Sequence, residues 1–142
     1  KVTVDTDFSC TPVWIGQGFR MRYRFSKPIL KSSSSRSEAP AYVMSGRLQI
    51  MRGIVSYSKS ASFRSEVTPQ YRDTYASDFS SNNVDAVLVG GLRLATGKFR
   101  FPVHSLAEGA QVEIINDSPL PSNLESAEWE ASFTTRAARF RG

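Results

Sequence analysis

The sequence predicts an all-β protein, either an antiparallel β-sandwich or a distorted barrel, with long loops and little helix. Three observations lead to this prediction. Apolar and polar residues alternate in several separate segments, which is the two-residue period of a half-buried strand. Turn residues, mainly glycine, proline, asparagine and serine, separate about seven such segments at intervals of roughly 10–15 residues. Helical periodicity is scarce, so strands are expected to make up nearly all of the regular structure.

The clearest alternation is the segment Phe19–Phe25, which reads Phe-Arg-Met-Arg-Tyr-Arg-Phe. Its apolar residues share one side and predict a core face, while Arg20, Arg22 and Arg24 share the other side at a spacing of about 7 Å. A row of guanidinium groups at this spacing can contact the phosphates of a nucleic acid. The alternative is a solvated face whose arginines pair with carboxylates on a neighbouring strand, which is the commoner arrangement.

The segments on either side of this strand differ in character. Lys1–Asp7 alternates valines with polar residues and predicts a short strand, and Phe8–Gly18 contains the proline and glycines of a loop. Ser32–Pro40 is serine-rich and cannot bury enough apolar surface to order itself. We expect a mobile surface loop there.

The densest strand signal lies in Ala41–Val67. The small polar run Ser58–Ser62 suits the turn of a hairpin between strands at Arg47–Tyr57 and Ala61–Thr68. The alternation slips by one residue near Gly53, which predicts a β-bulge or a close approach of another group to the backbone.

The middle of the chain is less regular. Gln70–Asn83 spaces aromatic residues four apart, which fits a short helix or a loop. Val84–Leu94 contains a buried strand fragment interrupted by two glycines. Thr96 and Gly97 predict a turn, and Lys98–Val103 alternates aromatic and basic residues in the manner of Phe19–Phe25.

The last third predicts two strands and a long connection. Ala107–Ala110 is a turn, Gln111–Ile115 is a strand, and Asn116–Asn123 is an irregular connection rich in Asn, Ser and Pro. Glu128–Thr135 closes the domain with apolar and polar residues on opposite faces. We therefore divide the chain into an N-terminal strand and loop (1–15), a β-rich domain (16–135) and a basic C-terminal tail (136–142).

The charge distribution favours a polyanion or an acidic surface as a partner. The formal net charge is +5. Six basic residues and no acidic ones lie between Arg20 and Arg36, whereas Glu125, Glu128 and Glu130 form an acidic cluster. These two regions can face each other within a subunit or between subunits. No apolar run has the length of a membrane span, and no signal peptide pattern occurs at the N-terminus.

The residues that carry common enzyme chemistry are sparse. The single cysteine, Cys10, excludes an intrachain disulfide, and the single histidine, His104, has no metal-ligand spacing around it, so it is expected to be structural or exposed. Neither a Gly-x-Ser-x-Gly elbow nor a phosphate-binding glycine loop occurs. Glu128 and Glu130 lie about 7 Å apart on one strand face, which is conceivable for a glycosidase. A binding or assembly role is the stronger class, and we expect neither a cofactor nor a metal.

Four segments, taken in order, resemble a known family. They are Gly16–Ser26, the Gly-Arg-Leu-Gln-Ile run at Gly46–Ile50, the Gly-Lys-Phe-Arg-Phe-Pro-Val run at Gly97–Val103, and Ile115–Glu130 with its Asn-Asp-Ser-Pro and Ala-Glu-Trp-Glu motifs. The set is similar to the C-terminal region of tail tubular protein B, the tail nozzle protein of short-tailed bacteriophages. The resemblance covers the chain from about Gly16 to Arg139.

The resemblance implies a structural virion protein without enzymatic activity. Members of the family assemble as a six-fold ring in the tail, next to the adaptor and the tail fibres, around the channel through which double-stranded DNA leaves. The resemblance also implies that the tail is assembled in the host cytoplasm. The family's subunits are much longer than this chain, and a first residue of Lys agrees with a fragment or a processed product. The resemblance transfers no catalytic residues.

Two kinds of contact residue follow from the charges and the resemblance together. The acidic residues expected at an interface are Glu125, Glu128 and Glu130. The basic residues expected to contact DNA or a neighbouring subunit are Arg20, Arg22, Arg24, Lys98, Arg100, Arg136 and Arg139.

The alternative function is a carbohydrate-binding or receptor-binding β-sandwich of a phage tail, using the aromatic residues Trp14, Tyr71 and Tyr75.

Overall fold

The structure is a computed structural model that describes residues 18–30, 46–81 and 93–135. Within these ranges it contains seven strands and no α-helix, which confirms the all-β prediction. The strands are β1 (Met21–Arg24), β2 (Gly46–Ser60), β3 (Ser62–Thr68), β4 (Tyr75–Ser80), β5 (Ala95–Leu106), β6 (Gln111–Asn116) and β7 (Asn123–Thr135).

The strands form two antiparallel sheets that do not close into a barrel. The four-stranded sheet has the order β1-β6-β3-β4, and the three-stranded sheet has the order β5-β2-β7. Aromatic rings from the two sheets meet between them: the ring centroids of Phe63 and Phe99 are 5.4 Å apart, and those of Phe25 and Trp129 are 5.1 Å apart. The core is therefore the layer between two sheets, as in a β-sandwich.

The predicted close approach at Gly53 is confirmed. Gly53 lies opposite both Phe101 of β5 and Trp129 of β7. A Cβ placed on Gly53 would lie 2.3 Å from the Phe101 ring, which is 1% exposed, so the ring occupies the space that a side chain would need. The register also shifts between Ile50 and Arg52, which is the predicted bulge.

Two bulges between β2 and β5 hold residues in the left-handed conformation. Opposite Met51, β5 carries two residues, Val103 and His104, and His104 has a φ of 41°. At the other end of the pair Lys59 has a φ of 44°, and its N–H donates to Oγ1 of Thr96 at 3.1 Å. This conformation is unfavourable for residues other than glycine, so both positions are maintained by the surrounding ladder.

The predicted hairpin between β2 and β3 is wrong. These strands are separated by Ala61 alone, yet they lie in different sheets, so the chain crosses the sandwich there. The buried Ser60 fixes the crossing, because its Oγ accepts a hydrogen bond from the N–H of Asn123 at 2.8 Å, and Ala61 donates to the carbonyl of Pro121 at 2.8 Å. Small residues are compatible both with a hairpin turn and with a crossing from one sheet to the other. The alternation of apolar and polar residues does not distinguish these two connections.

Two further predictions of local structure are corrected. Within Gln70–Asn83 the loop alternative holds for residues 70–74, but Tyr75–Ser80 is the strand β4, because it pairs with β3. Thr96 and Gly97 do not form a turn but lie inside β5, where Gly97 is opposite Tyr57. In both places pairing with a distant strand overrides the local signal.

The strand predicted at Phe19–Phe25 is shorter and less buried than expected. β1 has four residues and lies at the edge of its sheet. Met21 and Phe25 pack against the core, but Phe19 is 61% exposed and Tyr23 is 55% exposed. The predicted core face is therefore wrong for these two residues, because an edge strand has a neighbour on one side only.

The connection from β6 to β7 is irregular, as predicted, and Asn116 organises it. The Asn116 side chain is buried. Its Nδ2 donates to the carbonyl of Leu120 at 2.7 Å and to Oγ of Ser122 at 3.0 Å, and its Oδ1 accepts from the N–H and the hydroxyl of Ser118. The Asn116 side chain therefore supplies hydrogen bonds to loop groups that have no partner strand.

We expect Asn116→Ala to lower the free energy of unfolding by about 2 kcal/mol, because it leaves buried loop donors and acceptors without partners. Chemical denaturation measures this change. Glu108→Ala, at an exposed turn position, is the control and is expected to change stability by less than about 0.5 kcal/mol. Equal, small effects of the two substitutions would contradict the role assigned to Asn116.

The turn at Ala107–Ala110 and the strand at Gln111–Ile115 are confirmed, and the strand predicted at Glu128–Thr135 is confirmed within the longer β7. The segments Lys1–Asp7, Ser32–Pro40 and the tail 136–142 lie outside the described residues, as do residues 84–92 of the predicted Val84–Leu94 fragment. The division into three parts stays a prediction. Among the described residues no helix is long and apolar enough to span a membrane.

Candidate interaction surfaces

The outer face of the four-stranded sheet carries a cluster of four side chains, Arg22, Arg24, Gln111 and Glu113, which we call the Glu113 cluster. The Glu113 side chain is 4% exposed, whereas those of Arg22 and Arg24 are 49% and 58% exposed. Oε2 of Glu113 accepts hydrogen bonds from Nε and Nη2 of Arg22 at 2.8 and 2.5 Å. Oε1 accepts from Nε of Arg24 at 2.5 Å and from Nε2 of Gln111 at 3.0 Å. One carboxylate therefore bonds two arginines, offsets one of their two charges, and connects the edge strand β1 to β6.

The electrostatics of this cluster favour the ionised glutamate. Burial alone would raise the pKa of the Glu113 carboxyl, because the charged form loses hydration. The hydrogen bonds and positive charges of Arg22 and Arg24 outweigh burial, so the pKa of Glu113 lies below its ordinary value. Glu113 is therefore a carboxylate at neutral pH. Arg22 and Arg24 of β1 stabilise this ionised form.

A second ion-pair group on the same face is centred on Arg64 of β3. Its Nε bonds Oε1 of Glu66 at 2.8 Å, and its Nη1 bonds Oδ2 of Asp117 at 2.6 Å. The hydrogen bond from Arg64 lowers the pKa of Asp117, and the charge of Arg20 acts in the same direction. Glu66 lies directly opposite Glu113, so two like charges are neighbours and arginines on either side compensate them.

The outer face of the three-stranded sheet carries two exposed ion pairs. Nζ of Lys98 lies 3.2 Å from Oε1 of Glu128, and Nε of Arg52 lies 3.0 Å from Oε2 of Glu130. All four side chains are about half exposed. Pairs of this kind contribute at most about 1 kcal/mol each, so they arrange surface charge more than they stabilise the fold.

The predicted acidic residues occupy two different settings. Glu128 and Glu130 have basic partners within the same sheet. Glu125 is exposed on β7, where it lines a cleft of about 470 Å³ beside Arg22 of β1. Their predicted role at an interface between subunits stays a prediction.

The predicted basic residues are also divided. Arg22 and Arg24 belong to the Glu113 cluster, which is the pairing alternative that the sequence left open. Lys98 pairs with Glu128. Arg100 is exposed on β5 and has no ion pair with a described residue. Arg136 and Arg139 lie outside the described residues, and the role of this set in contacting DNA or a neighbouring subunit stays a prediction.

The sequence reasoning did not identify Glu113, Arg52 or Arg64 as site residues. Glu113 did leave a signal, since it is a lone charge inside the apolar run Val-Glu-Ile-Ile at residues 112–115. A charge in such a run requires a partner when the strand is buried. Arg52 and Arg64 left no comparable signal, because their roles depend on the register between strands.

The described residues that were considered for other functions occupy different settings. Glu128 and Glu130 are engaged by Lys98 and Arg52. Tyr75 donates its hydroxyl to the carbonyl of Val103 at 2.7 Å, whereas Tyr71 is 94% exposed in a turn. Trp14 lies outside the described residues. Across the described ranges no three His, Cys, Asp or Glu residues are grouped so as to hold a metal ion.

Comparison with known families identifies the class of protein to which the chain belongs. A family model described as bacteriophage nozzle protein matches residues 1–140, which is nearly the whole chain. The chain belongs to the bacteriophage nozzle protein family. The resemblance to tail nozzle proteins and the prediction of a structural tail protein are confirmed at this level.

A curated relative supports the assignment to the bacteriophage nozzle protein family. Tail tubular protein gp12 of Escherichia phage T7 is 32% identical over 136 residues, which cover 89% of this chain. The same residues cover 16% of gp12, so the chain spans about one sixth of the length of this relative. The nozzle family therefore accounts for the chain as part of a structural component of the virion tail.

Proposed function

We propose that the chain forms part of the wall of a tail nozzle, a six-fold ring of identical subunits around the channel through which double-stranded DNA leaves the virion. The observation that carries this proposal is the match of residues 1–140 to the bacteriophage nozzle protein family. The subunit is assembled in the host cytoplasm and contacts the tail adaptor and the tail-fibre proteins. Its role is structural and does not involve catalysis.

The charge arrangement on both sheets supports a wall that contacts DNA weakly. A channel for DNA must admit a polyanion without retaining it, and each phosphate that a protein neutralises strengthens binding. Glu113 bonds both Arg22 and Arg24 and offsets one of their charges, and Glu128 offsets the charge of Lys98. The chain keeps a net charge of +5 while several of its arginines and lysines are already paired. Attraction without tight binding follows from this balance.

The edge strands offer surfaces for assembly. In the described part of the chain, β5 and β7 each pair with β2 alone, and they are 12 and 13 residues long. Edge strands of this length present backbone donors and acceptors that a neighbouring polypeptide can use. In a ring the two surfaces that meet are different, so one of these edges is a candidate for one side of the contact.

Native mass spectrometry of the intact protein that contains this chain tests the ring. We expect six copies in the assembled species, and electron microscopy of the same sample is expected to show a six-fold ring with a central channel. A protein that stays monomeric at high concentration, both alone and with the rest of its tail, would rule the proposal out.

A further inference from the structure

A small cleft on the outer face of the three-stranded sheet brings three nitrogen-bearing side chains together. Arg52, Arg100 and His104 line it with Phe101 and Pro102, and its volume is about 240 Å³. Arg52 is directly opposite Pro102, while Arg100 and His104 are two residues before and after it on β5. The three side chains therefore surround Pro102 on one face of the sheet.

The cleft carries uncompensated positive charge. The ion pair of Arg52 joins its Nε to Glu130, and a guanidinium has five N–H donors, so further donors of Arg52 are available. Arg100 has no ion pair with a described residue. Two arginines and one carboxylate leave a local charge of about +1, and the His104 imidazole adds an N–H donor. An oxyanion would relieve the repulsion between the two arginines.

The backbone at His104 fits a site that the fold maintains at some cost. His104 adopts the left-handed conformation at the bulge, with a φ of 41°, where glycine would be unstrained. The preceding residue of the same strand, Val103, is held by the Tyr75 hydroxyl of β4, which donates to its carbonyl at 2.7 Å. Bulges redirect side chains, and strained residues concentrate at functional sites.

Two other groups of basic residues, the Glu113 cluster and Lys98, are already bonded to carboxylates. In the Glu113 cluster, Arg22 and Arg24 both bond a buried carboxylate, and Lys98 is paired with Glu128. A phosphate would have to compete with these carboxylates. At Arg100 the described residues offer no such competitor.

We propose that Arg52, Arg100 and His104 form a binding site for a phosphate-class oxyanion. The identity of its natural ligand rests on the proposed function, and in that setting it is the phosphodiester backbone of the passing DNA. Guanidinium groups suit this ligand because they donate paired hydrogen bonds to phosphate oxygens.

The first test measures the binding of a 20-base-pair duplex to the intact nozzle protein by fluorescence anisotropy, over a series of salt concentrations. We expect Arg100→Ala to weaken binding about tenfold, as loss of a charge-assisted hydrogen bond does. The slope of log K against log salt is expected to fall by about 0.9. Arg72→Ala, which removes the same charge from an exposed turn, is the matched control and is expected to bind as the wild type does.

A second arm titrates the same proteins with inorganic phosphate in a calorimeter. If the wild type binds phosphate but not the duplex, and Arg100→Ala removes the phosphate binding, the site is supported and its ligand is free phosphate. The proposal would be overturned if Arg100→Ala left phosphate binding unchanged and affected duplex binding no more than Arg72→Ala does. This holds whether both variants lose duplex binding equally or neither loses it. Arg100→Gln keeps the length of the side chain and serves if the alanine variant does not fold.

The same samples separate this inference from the proposed function. If rings form normally but Arg100→Ala binds both ligands as the wild type does, the proposed wall stands and the anion site is ruled out. A wild-type protein that forms no ring would contradict the wall itself, whatever its affinity for phosphate.

Discussion

Replacing Glu113 with alanine is expected to lower the free energy of unfolding by about 2–3 kcal/mol, which is the range for hydrogen bonds to charged groups. The substitution removes the acceptor of four hydrogen bonds and leaves Arg22 and Arg24 as like charges two residues apart on β1. The loss should stay below that of a fully buried ion pair, because both arginines are about half exposed and can regain water. Denaturant titration measures the change.

The control for this prediction is Glu125→Ala, which removes an exposed glutamate from β7 and should change stability by less than about 0.5 kcal/mol. Combining Glu113→Ala with Arg22→Ala gives a double-mutant cycle, in which we expect a coupling of at least about 1 kcal/mol. Additive effects of the two substitutions would show that the cluster does not act as a unit.

The Glu113 cluster also predicts a dependence of stability on acid. The pKa of Glu113 is lowered in the folded protein, so the unfolded chain takes up this proton at a higher pH than the native protein does. The stabilisation is present above the ordinary pKa of a glutamate, about 4.3. It is lost as the pH falls from there through the folded pKa. Glu113→Gln should lack this component, so its stability and that of the wild type should converge on acidification.

Replacing Gly53 with valine is expected to cost about 3 kcal/mol, at the upper end of what overpacking a core costs. A Cβ at this position would lie 2.3 Å from the Phe101 ring, and that ring is buried next to Trp129, with their centroids 6.3 Å apart. The ring cannot move aside without disturbing the layer between the sheets. A fall in the unfolding midpoint in denaturant, at an unchanged slope, would report this loss.

Gly18→Ala is the control for Gly53, because no atom lies within 4 Å of the Cβ that it adds. It is expected to be neutral or slightly stabilising, since it restricts the unfolded chain. If Gly53→Val retained wild-type stability, the close approach of Phe101 to the backbone would not be a feature of the folded protein.

The fold class and several elements could be predicted because alternation records which face of a strand is buried. The slip near Gly53 recorded a bulge for the same reason. The crossing at Ala61 could not be predicted, because a short run of small residues permits both a hairpin and a change of sheet. Likewise, Tyr75–Ser80 became a strand through pairing with β3, and its aromatic spacing resembled a helical one by coincidence.

The candidate surfaces were harder to predict than the fold. The sequence identified the arginines of β1 and the glutamates of β7, but register decides which charges meet. β1 pairs with β6, so Arg22 and Arg24 reach Glu113 instead of the acidic residues near the C-terminus. The cleft at Arg52, Arg100 and His104 joins two strands about 50 residues apart in sequence, and a bulge brings His104 to it. Neither arrangement follows from local pattern.

The proposed wall and its anion site both require a division between arginines that the fold uses and arginines that stay available. An electron cryo-microscopy map of the assembled tail, at a resolution that shows side chains, tests this division directly. We predict six copies of the chain around the channel, with Arg22 and Arg24 still bonded to Glu113 in every copy and Arg52 and Arg100 free of carboxylates from neighbouring subunits. A map in which Arg22 and Arg24 leave Glu113 to contact DNA or a neighbour, or in which the chain lies away from any ring, would contradict the account.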